Sequence, residues 1–113
     1  MRPDDPIEEK DWKYMRSIRD ELLHTLCARI NDEAVAIATR PSGNPHERYL
    51  ALFRHIKDSD NIVAVCFNDW RRSTLHIKIR ELRFHGLLPD THVRQLSNKA
   101  QTWLARLEAG SAL

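Results

Sequence analysis

FNDWRRSTLHIKIRELRFHG, residues 67–86, is the stretch of sequence that decides the fold. Placed at about 100° per residue, its apolar positions fall on two stripes of a helix and its basic positions fall between them. The first apolar stripe is Leu75, Ile79 and Leu82, with Trp70 close to it, and the second is Ile77 and Phe84. The basic stripe is Arg72, His76, Arg80 and Arg83. Such a helix packs between two neighbours or shows one apolar stripe to a partner.

The same stretch also fits a strand. Leu75, Ile77 and Ile79 alternate with polar residues at period two. The apolar run at 62–67 (IVAVCF) could pair with it as a hairpin, and residue pattern alone leaves helix and strand nearly balanced. Gly86 after the periodic run, followed by Pro89, favours a helix that ends there.

Composition predicts one folded domain located in the cytoplasm. With 113 residues, 42% apolar and 30% charged, the chain suffices for a modest core and is neither disordered nor membrane-spanning. No apolar run approaches the roughly 20 residues that a bilayer span needs. The acidic start MRPDDPIEEKDW does not have the pattern of a signal peptide. Cys27 and Cys66 are expected to be buried free thiols, with a disulfide as the alternative.

Charge is divided unevenly along the chain. Residues 1–60 carry 10 basic and 12 acidic residues, whereas residues 61–113 carry 8 basic and 4 acidic ones. The two halves could attract each other across subunits, or the basic half could meet an acidic partner. The excess is too small to argue strongly for nucleic acid.

The first helix is predicted to start at Pro6, with Asp5 as its cap and Glu8 closing a capping box, and to run to about Arg40. An apolar seam follows it at steps of three and four: Met15, Ile18, Leu22, Leu26 and Ile30. A break at residues 31–32, or a short strand at 34–38, stays possible. An unbroken helix of about 35 residues would be about 50 Å long, which implies a partner chain along its seam.

Residues 40–44 (RPSGN) form the clearest loop, and Asn44 then caps a second helix with Pro45 at its first position. One face of this helix carries Tyr49, Leu52, Phe53 and Ile56. The helix ends near residues 57–61, or it runs on through Trp70 and makes an αα-hairpin with the first. A short helix over 89–96, a last helix capped by Ser97 and a frayed tail over 109–113 are expected to follow Gly86.

Residues 68–107 resemble the fluorescence recovery protein family. Those proteins carry a Y-D-x-R-x-S segment, an apolar helix, a glycine, a short helix, and an L-x-x-x-K step before the last helix. The matching residues here are Asp69, Arg71, Ser73, Leu75, Leu82, Gly86, Leu96 and Lys99, although two residues rather than three separate Leu96 from Lys99. The first 60 residues match only in helical layout. The family's tyrosine is Asn68 here, its middle helix has no tryptophan here, and an aromatic position linked to partner binding is Ile79.

The resemblance implies an all-α protein: two long antiparallel helices form the stalk of a homodimer over about 6–71, and a small helical head covers about 72–109. Such proteins bind the orange carotenoid protein and speed its return to the orange form, which ends phycobilisome quenching. They are not enzymes and hold no cofactor. The implied partner-binding residues of the head are Arg72, His76, Ile79, Arg80, Arg83 and Lys99. The implied dimer and structural residues are Met15, Ile18, Leu22, Leu26, Tyr49, Phe53, Ile56, Asp69, Trp70 and Arg71.

The residues themselves support no catalytic or metal site. The six histidines show no HExxH and no paired spacing, and the chain lacks a nucleophile elbow and a glycine-rich phosphate loop. Asp69 and Arg71 are interpreted as a buried or inter-subunit ion pair rather than as a catalytic pair. The basic stripe is a solvated face, a protein-binding face or a DNA-reading helix. Two hypotheses result: a non-enzymatic regulatory interaction protein, and a small DNA-binding regulator.

Overall fold

The structure is a computed structural model that describes residues 5–111. Its elements are α1 (Glu9–Thr39), α2 (Pro45–Phe67), a 3-10 turn (Arg72–Thr74), α3 (Leu75–Phe84), α4 (Asp90–Val93) and α5 (Asn98–Ser111). The described residues contain no strand. The prediction of an all-α protein is therefore confirmed, and residues 62–67, which the pattern left open, belong to a helix.

The start of α1 corrects the sequence prediction. Asp5 does not cap the helix, because its carboxylate accepts a hydrogen bond from the Ile7 N–H at 3.0 Å and forms a local turn. The N-cap is Glu8, and its N–H donates to the Asp11 carboxylate at 2.9 Å. Helix α1 then runs unbroken for 31 residues, about 47 Å, to Thr39.

Helix α2 begins as predicted. Asn44 accepts from the Glu47 N–H at 2.8 Å, and the Glu47 carboxylate faces the Asn44 N–H at 3.4 Å, so both halves of the capping box are present. The helix does not stop at the polar residues 57–61 and continues to Phe67. It does not reach Trp70, which follows in a non-helical segment.

Two cross-contacts show how α2 lies along α1. The Arg19 guanidinium donates to the Phe67 carbonyl at 3.3 Å, and His55 Nε2 lies 2.9 Å from the Ile30 carbonyl. The molecule measures 57 × 32 × 22 Å with a radius of gyration of 17.1 Å. A compact chain of this length would have about 13 Å, so this one is elongated.

The core joins the end of α2 and the first two thirds of α1 to α3 and α5. The large side chains with no more than 2% exposure in this cluster are Ile7, Met15, Leu22, Phe67, Leu75, Ile79, Leu82, Leu87, Leu88 and Leu104. Cys66 is also fully buried, and burial raises the pKa of its thiol to about 11. Cys27 is only half-buried, which corrects the expectation that both thiols are buried, and both are free.

A buried carboxylate links the start of α1 to the start of α5. Asp11 is fully buried and accepts from the Ser97 N–H at 2.6 Å and from the Ser97 hydroxyl at 2.7 Å. The Ser97 hydroxyl also accepts from the Ala100 N–H at 3.1 Å, which confirms its predicted role as the cap of α5. Helix α5 extends to Ser111, two residues past the point where fraying was predicted to begin.

The short helix α4 is held on α1 by one histidine. His92 Nδ1 lies 2.5 Å from the Tyr14 hydroxyl, and its Nε2 lies 2.8 Å from the Glu21 carboxylate. Desolvation, and after it the Glu21 charge, raise the pKa of the Tyr14 hydroxyl. The hydroxyl therefore keeps its proton at neutral pH, and the His92 ring bridges it to the Glu21 carboxylate.

A lysine of α3 closes the C-terminal end of α2. Lys78 is 7% exposed, and its ammonium group donates to the Val65 carbonyl at 3.0 Å. The last turn of α2 contains no basic residue of its own. A positive charge near a helix C-terminus is favourable, so Lys78 of α3 supplies the cation that the last turn of α2 lacks.

Helix α3 ends in a Schellman motif at Gly86, as the sequence predicted. The Leu87 N–H donates to the Leu82 carbonyl at 2.8 Å, and Gly86, with φ of 67°, donates to Arg83 at 3.1 Å. Arg29 of α1 donates to the carbonyl of Gly86 at 3.0 Å. This end of α3 is thus fixed both by its own turn and by α1.

We expect Gly86→Ala to lower the free energy of unfolding by about 1 kcal/mol, because a Cβ disfavours positive φ. The new Cβ would meet Arg29 Nη1 at 3.9 Å, an ordinary contact, so the cost lies in the backbone. The matched control is Gly110→Ala in α5, where a Cβ meets nothing within 4 Å. Urea unfolding of both variants tests this, and equal midpoints would contradict it.

Candidate protein-interaction surfaces

The first half of α2 carries an uncovered apolar face. Tyr49, Phe53 and Ile56 are 61%, 57% and 46% exposed, and their spacing of four and three places them on one face. Residues 45–58 of α2 contain no buried side chain; the first buried residue of α2 is Ser59. We call Tyr49, Phe53 and Ile56 the α2 face. These three predicted dimer residues are exposed and therefore available for contact.

The predicted dimer seam on α1 needs correction. Met15, Leu22 and Leu26 have 0%, 2% and 6% exposure, and Ile18 packs against the same cluster. They fill the core under α3 and α5 of their own chain. A second chain cannot reach the buried three, because the head of the same chain already covers this part of α1.

Arg72, at the start of the basic stripe, ties the N-terminal segment to the head. Its guanidinium donates to the Ile7 carbonyl at 2.6 Å and lies 3.3 Å from the Asp5 carboxylate. Glu9 lies within 3.8 Å on another side. These contacts assign Arg72 an internal role, in place of its predicted role in partner binding.

Arg83 is likewise engaged inside the chain. Its Nε lies 2.7 Å from the Glu108 carboxylate of α5, and its Nη1 lies 2.9 Å from Asp90 and 2.8 Å from the Leu88 carbonyl. The hydrogen bond to Glu108 is the main cause of the raised pKa of Arg83. Arg83 therefore joins α3 to α5 and to the start of α4.

The other predicted head residues differ in accessibility. Ile79 has no exposed surface, so its predicted contact with a partner is wrong in this arrangement. His76 is half-buried. Arg80 is 53% exposed, and its one ion-pair distance within the described chain is 3.9 Å, to Glu81. Lys99 is exposed. Arg80 and Lys99 are thus the two predicted cations with charge open to solvent.

A groove between α3 and α5 contains Arg80. The groove holds about 690 Å³, its apolar lining is Phe84, Leu104 and Leu107, and Glu81 and Glu108 lie on its rim. Phe84 is 81% exposed and stands edge-on to the His85 ring at 5.0 Å. An aromatic side chain this exposed beside an apolar groove is typical of an interaction surface. We call this feature the α3–α5 groove.

Asp69 and Arg71 form an ion pair, as predicted, but the pair lies at the surface of the chain and not in its interior. Arg71 Nε lies 2.6 Å from Asp69 Oδ1, and the two side chains are 65% and 52% exposed. The pair is therefore local and solvated within the chain, which corrects the prediction of a buried pair. The hydrogen bond from Arg71 lowers the pKa of Asp69. The pair stabilises the folded chain at pH values above the ordinary pKa of an aspartate. This stabilisation is lost as the pH falls through the lowered pKa of Asp69.

Trp70 packs where α2 meets the head. Its ring stacks on Phe67 at 5.9 Å, and the Arg19 guanidinium lies 5.4 Å from the Trp70 ring centre. The buried Trp70 indole N–H has no hydrogen-bond partner in the described part of the chain. Trp70 thus serves as a packing residue of its own chain.

Metal-binding clusters and membrane-spanning helices are both absent from residues 5–111. Across residues 5–111, no three histidine, cysteine, aspartate or glutamate side chains cluster in a way that could hold a metal ion. Within the same range, no helix combines the length and apolarity that crossing a lipid bilayer requires.

Sequence reasoning missed two polar residues that organise the head. Asp11 lies one turn before Met15 on the apolar seam of α1, and a carboxylate on such a seam signals a buried hydrogen-bond acceptor. Lys78 lies beside Ile79 and gives no comparable signal, because a lysine next to an apolar stripe is ordinarily solvated. Its role depends on where α2 ends, which is a tertiary property.

Comparison with known proteins finds no similar protein or structure. No protein-family model matches the chain. Neither the search of curated proteins nor that of solved structures finds a significant match.

Proposed function

We propose that this chain is a non-enzymatic regulatory interaction protein of the fluorescence recovery type. In this proposal it acts in the cytoplasm as a homodimer, with α1 and α2 forming an antiparallel stalk. The head, α3 to α5, binds the orange carotenoid protein or a related protein and promotes its return to the resting form. The alternative, a small DNA-binding regulator that uses α3, has less support.

The observation that carries the proposal is the α2 face. Three large apolar side chains lie uncovered on the first half of α2, which has no fully buried residue before Ser59. Helices gain most of their stability from packing an apolar face, so an exposed apolar face of this kind is expected to be covered by a partner. A second copy is the simplest partner for a face that belongs to every chain, and twofold pairing requires only this one patch.

The α3–α5 groove supports a protein partner at the head. Phe84 offers an exposed aromatic anchor, and Arg80 offers a cation next to it. Aromatic and arginine side chains carry much of the binding energy in protein interfaces. DNA reading by α3 is less favoured, because Arg72 and Arg83 of the basic stripe are already paired with carboxylates of the same chain.

Mixing the protein with a purified orange carotenoid protein tests the proposed activity. We expect faster recovery of the orange form in the dark after illumination. Phe84→Ala should weaken this effect roughly tenfold or more, as loss of an anchor residue does. Val35→Ala, on α1, serves as the control for an exposed apolar side chain outside both the groove and the α2 face. Unchanged recovery at saturating protein would reject the carotenoid-protein partner.

A further inference from the structure

A second pocket lies on the other side of α5 from the α3–α5 groove. It holds about 440 Å³ and is lined by Pro6, Asn98, Lys99, Thr102, Trp103 and Arg106. At 100° per residue, Asn98, Lys99, Thr102 and Arg106 lie on the side of α5 away from Leu104, and Trp103 lies at the edge between the two sides. The half-buried Trp103 ring and Pro6 provide its apolar surface. We call this feature the Trp103 pocket.

The cations of the Trp103 pocket have no counter-charge among residues 5–111. Lys99 and Arg106 are exposed, and neither forms a hydrogen bond or an ion pair within residues 5–111. No carboxylate is among the described residues that line the pocket. The α3–α5 groove differs, because there Glu108 pairs with Arg83 at 2.7 Å. The charge of the Trp103 pocket is therefore available to an outside partner.

The spacing of these residues limits what fits. Lys99, Trp103 and Arg106 follow one another at steps of four and three, so they form one row along α5. The rise of a helix places the two cations about 10 Å apart along its axis, with the indole between them. A complementary ligand carries two negative groups at that separation and an apolar group in the middle.

We propose that the Trp103 pocket binds an acidic segment of a protein partner, with two carboxylates flanking an apolar side chain. Arginine and lysine form charge-assisted hydrogen bonds with carboxylates, and the indole face accepts an aliphatic side chain. A helix with glutamates seven positions apart and a leucine between them has the required spacing.

Nucleic acid fits this pocket less well. Specific or non-specific binding of a duplex commonly neutralises several phosphates, and here two cations stand in one row. Of the three arginines of the basic stripe, Arg72 and Arg83 are paired within the chain, which leaves Arg80 as the one open to solvent. The inference rests on the proposed function in one respect, namely that the head has a protein partner. It does not depend on dimer formation.

An NMR titration of the full chain tests the proposal. The probe is a helical peptide of alanine and glutamine, about 16 residues long, with Glu at positions i and i+7 and Leu at i+4. The control peptide has Gln in place of both Glu. We expect the acidic peptide to shift the amide signals of residues 98–106 and the Trp103 indole signal, and the control peptide to bind at least about tenfold more weakly, as loss of two charged pairs predicts.

Variants locate the site. The double variant Lys99→Gln/Arg106→Gln should lose at least about tenfold in affinity. Arg40→Gln/Arg94→Gln removes the same charge at exposed positions elsewhere and should stay within about twofold of the parent chain. The circular dichroism of each variant verifies its fold. Equal affinity in the first variant and the parent would overturn the assignment.

The remaining outcomes are equally decisive. Absence of binding by the acidic peptide, or equal binding of both peptides, would overturn the proposal. Tighter binding of a single-stranded thymidine oligomer at the same residues would overturn it in favour of nucleic acid. Light scattering of the same sample reports the oligomeric state. A monomer that binds the acidic peptide would reject the proposed dimer and support this inference, whereas a dimer that does not bind would do the reverse.

Discussion

Replacing Asp11 by alanine is expected to lower the free energy of unfolding by about 3–5 kcal/mol, because hydrogen bonds to a charged acceptor are lost and their donors stay buried. The fully buried carboxylate accepts three hydrogen bonds, one from the Glu8 N–H and two from Ser97. Removing it leaves the Ser97 N–H in the interior without an acceptor, which costs about 1–3 kcal/mol by itself. Domains of this size have a free energy of unfolding of about 5–15 kcal/mol, so the variant is expected to be only marginally stable at ambient temperature.

Thermal unfolding followed by circular dichroism measures this effect. At roughly 4 °C per kcal/mol, the midpoint should fall by roughly 12–20 °C. Asp20→Ala is the matched control, because that side chain is 82% exposed and, within residues 5–111, pairs with Arg19 alone. Ser97→Ala should cost less than Asp11→Ala, since the Ser97 N–H keeps its acceptor. Midpoints for Asp11→Ala and Asp20→Ala that agree within error would show that the contact does not stabilise the fold.

Phe53→Glu is expected to convert the proposed homodimer into a monomer of 13.2 kDa. Phe53 lies in the middle of the α2 face and is 57% exposed in one chain, so the change costs the isolated chain little. In a twofold interface the new carboxylates would lie among the apolar side chains of the α2 face and would lose part of their hydration. A loss of about 3 kcal/mol or more in the free energy of dimerisation corresponds to a dimer affinity that is more than about 100-fold weaker.

Light scattering coupled to size-exclusion chromatography measures this change. Phe84→Glu is the control, because Phe84 is an even more exposed aromatic but lies on the head, outside the α2 face. The expected result is a monomer for Phe53→Glu and an unchanged mass for Phe84→Glu. A parent chain that is monomeric at tens of micromolar would reject the proposed dimer, and a dimer that survives Phe53→Glu would place its interface elsewhere.

Several helix ends could be predicted from the sequence because their signals are local. The Asn44–Glu47 capping box and the Ser97 cap each involve hydrogen bonds between residues three positions apart. Gly86 marks a helix end because few other residues adopt its positive φ without strain. The start of α1 shows the limit of this reasoning. Asp5 has the right chemistry for a cap, yet its nearest free N–H is that of Ile7, and the helix begins after Glu8.

The sequence by itself determined several helix ends, at Asn44, Gly86 and Ser97, and it favoured helix over strand, although residue pattern alone left residues 62–79 nearly balanced. Only the tertiary structure decided which apolar seam lies inside: Met15, Leu22 and Leu26 are covered by their own head, whereas Tyr49 and Phe53 are not. It also decided that Arg72 pairs with the chain start and Arg83 with Glu108. The physical reason is distance along the chain. Helix caps and turns depend on neighbours a few residues apart, but burial and ion pairing depend on segments that meet only after folding.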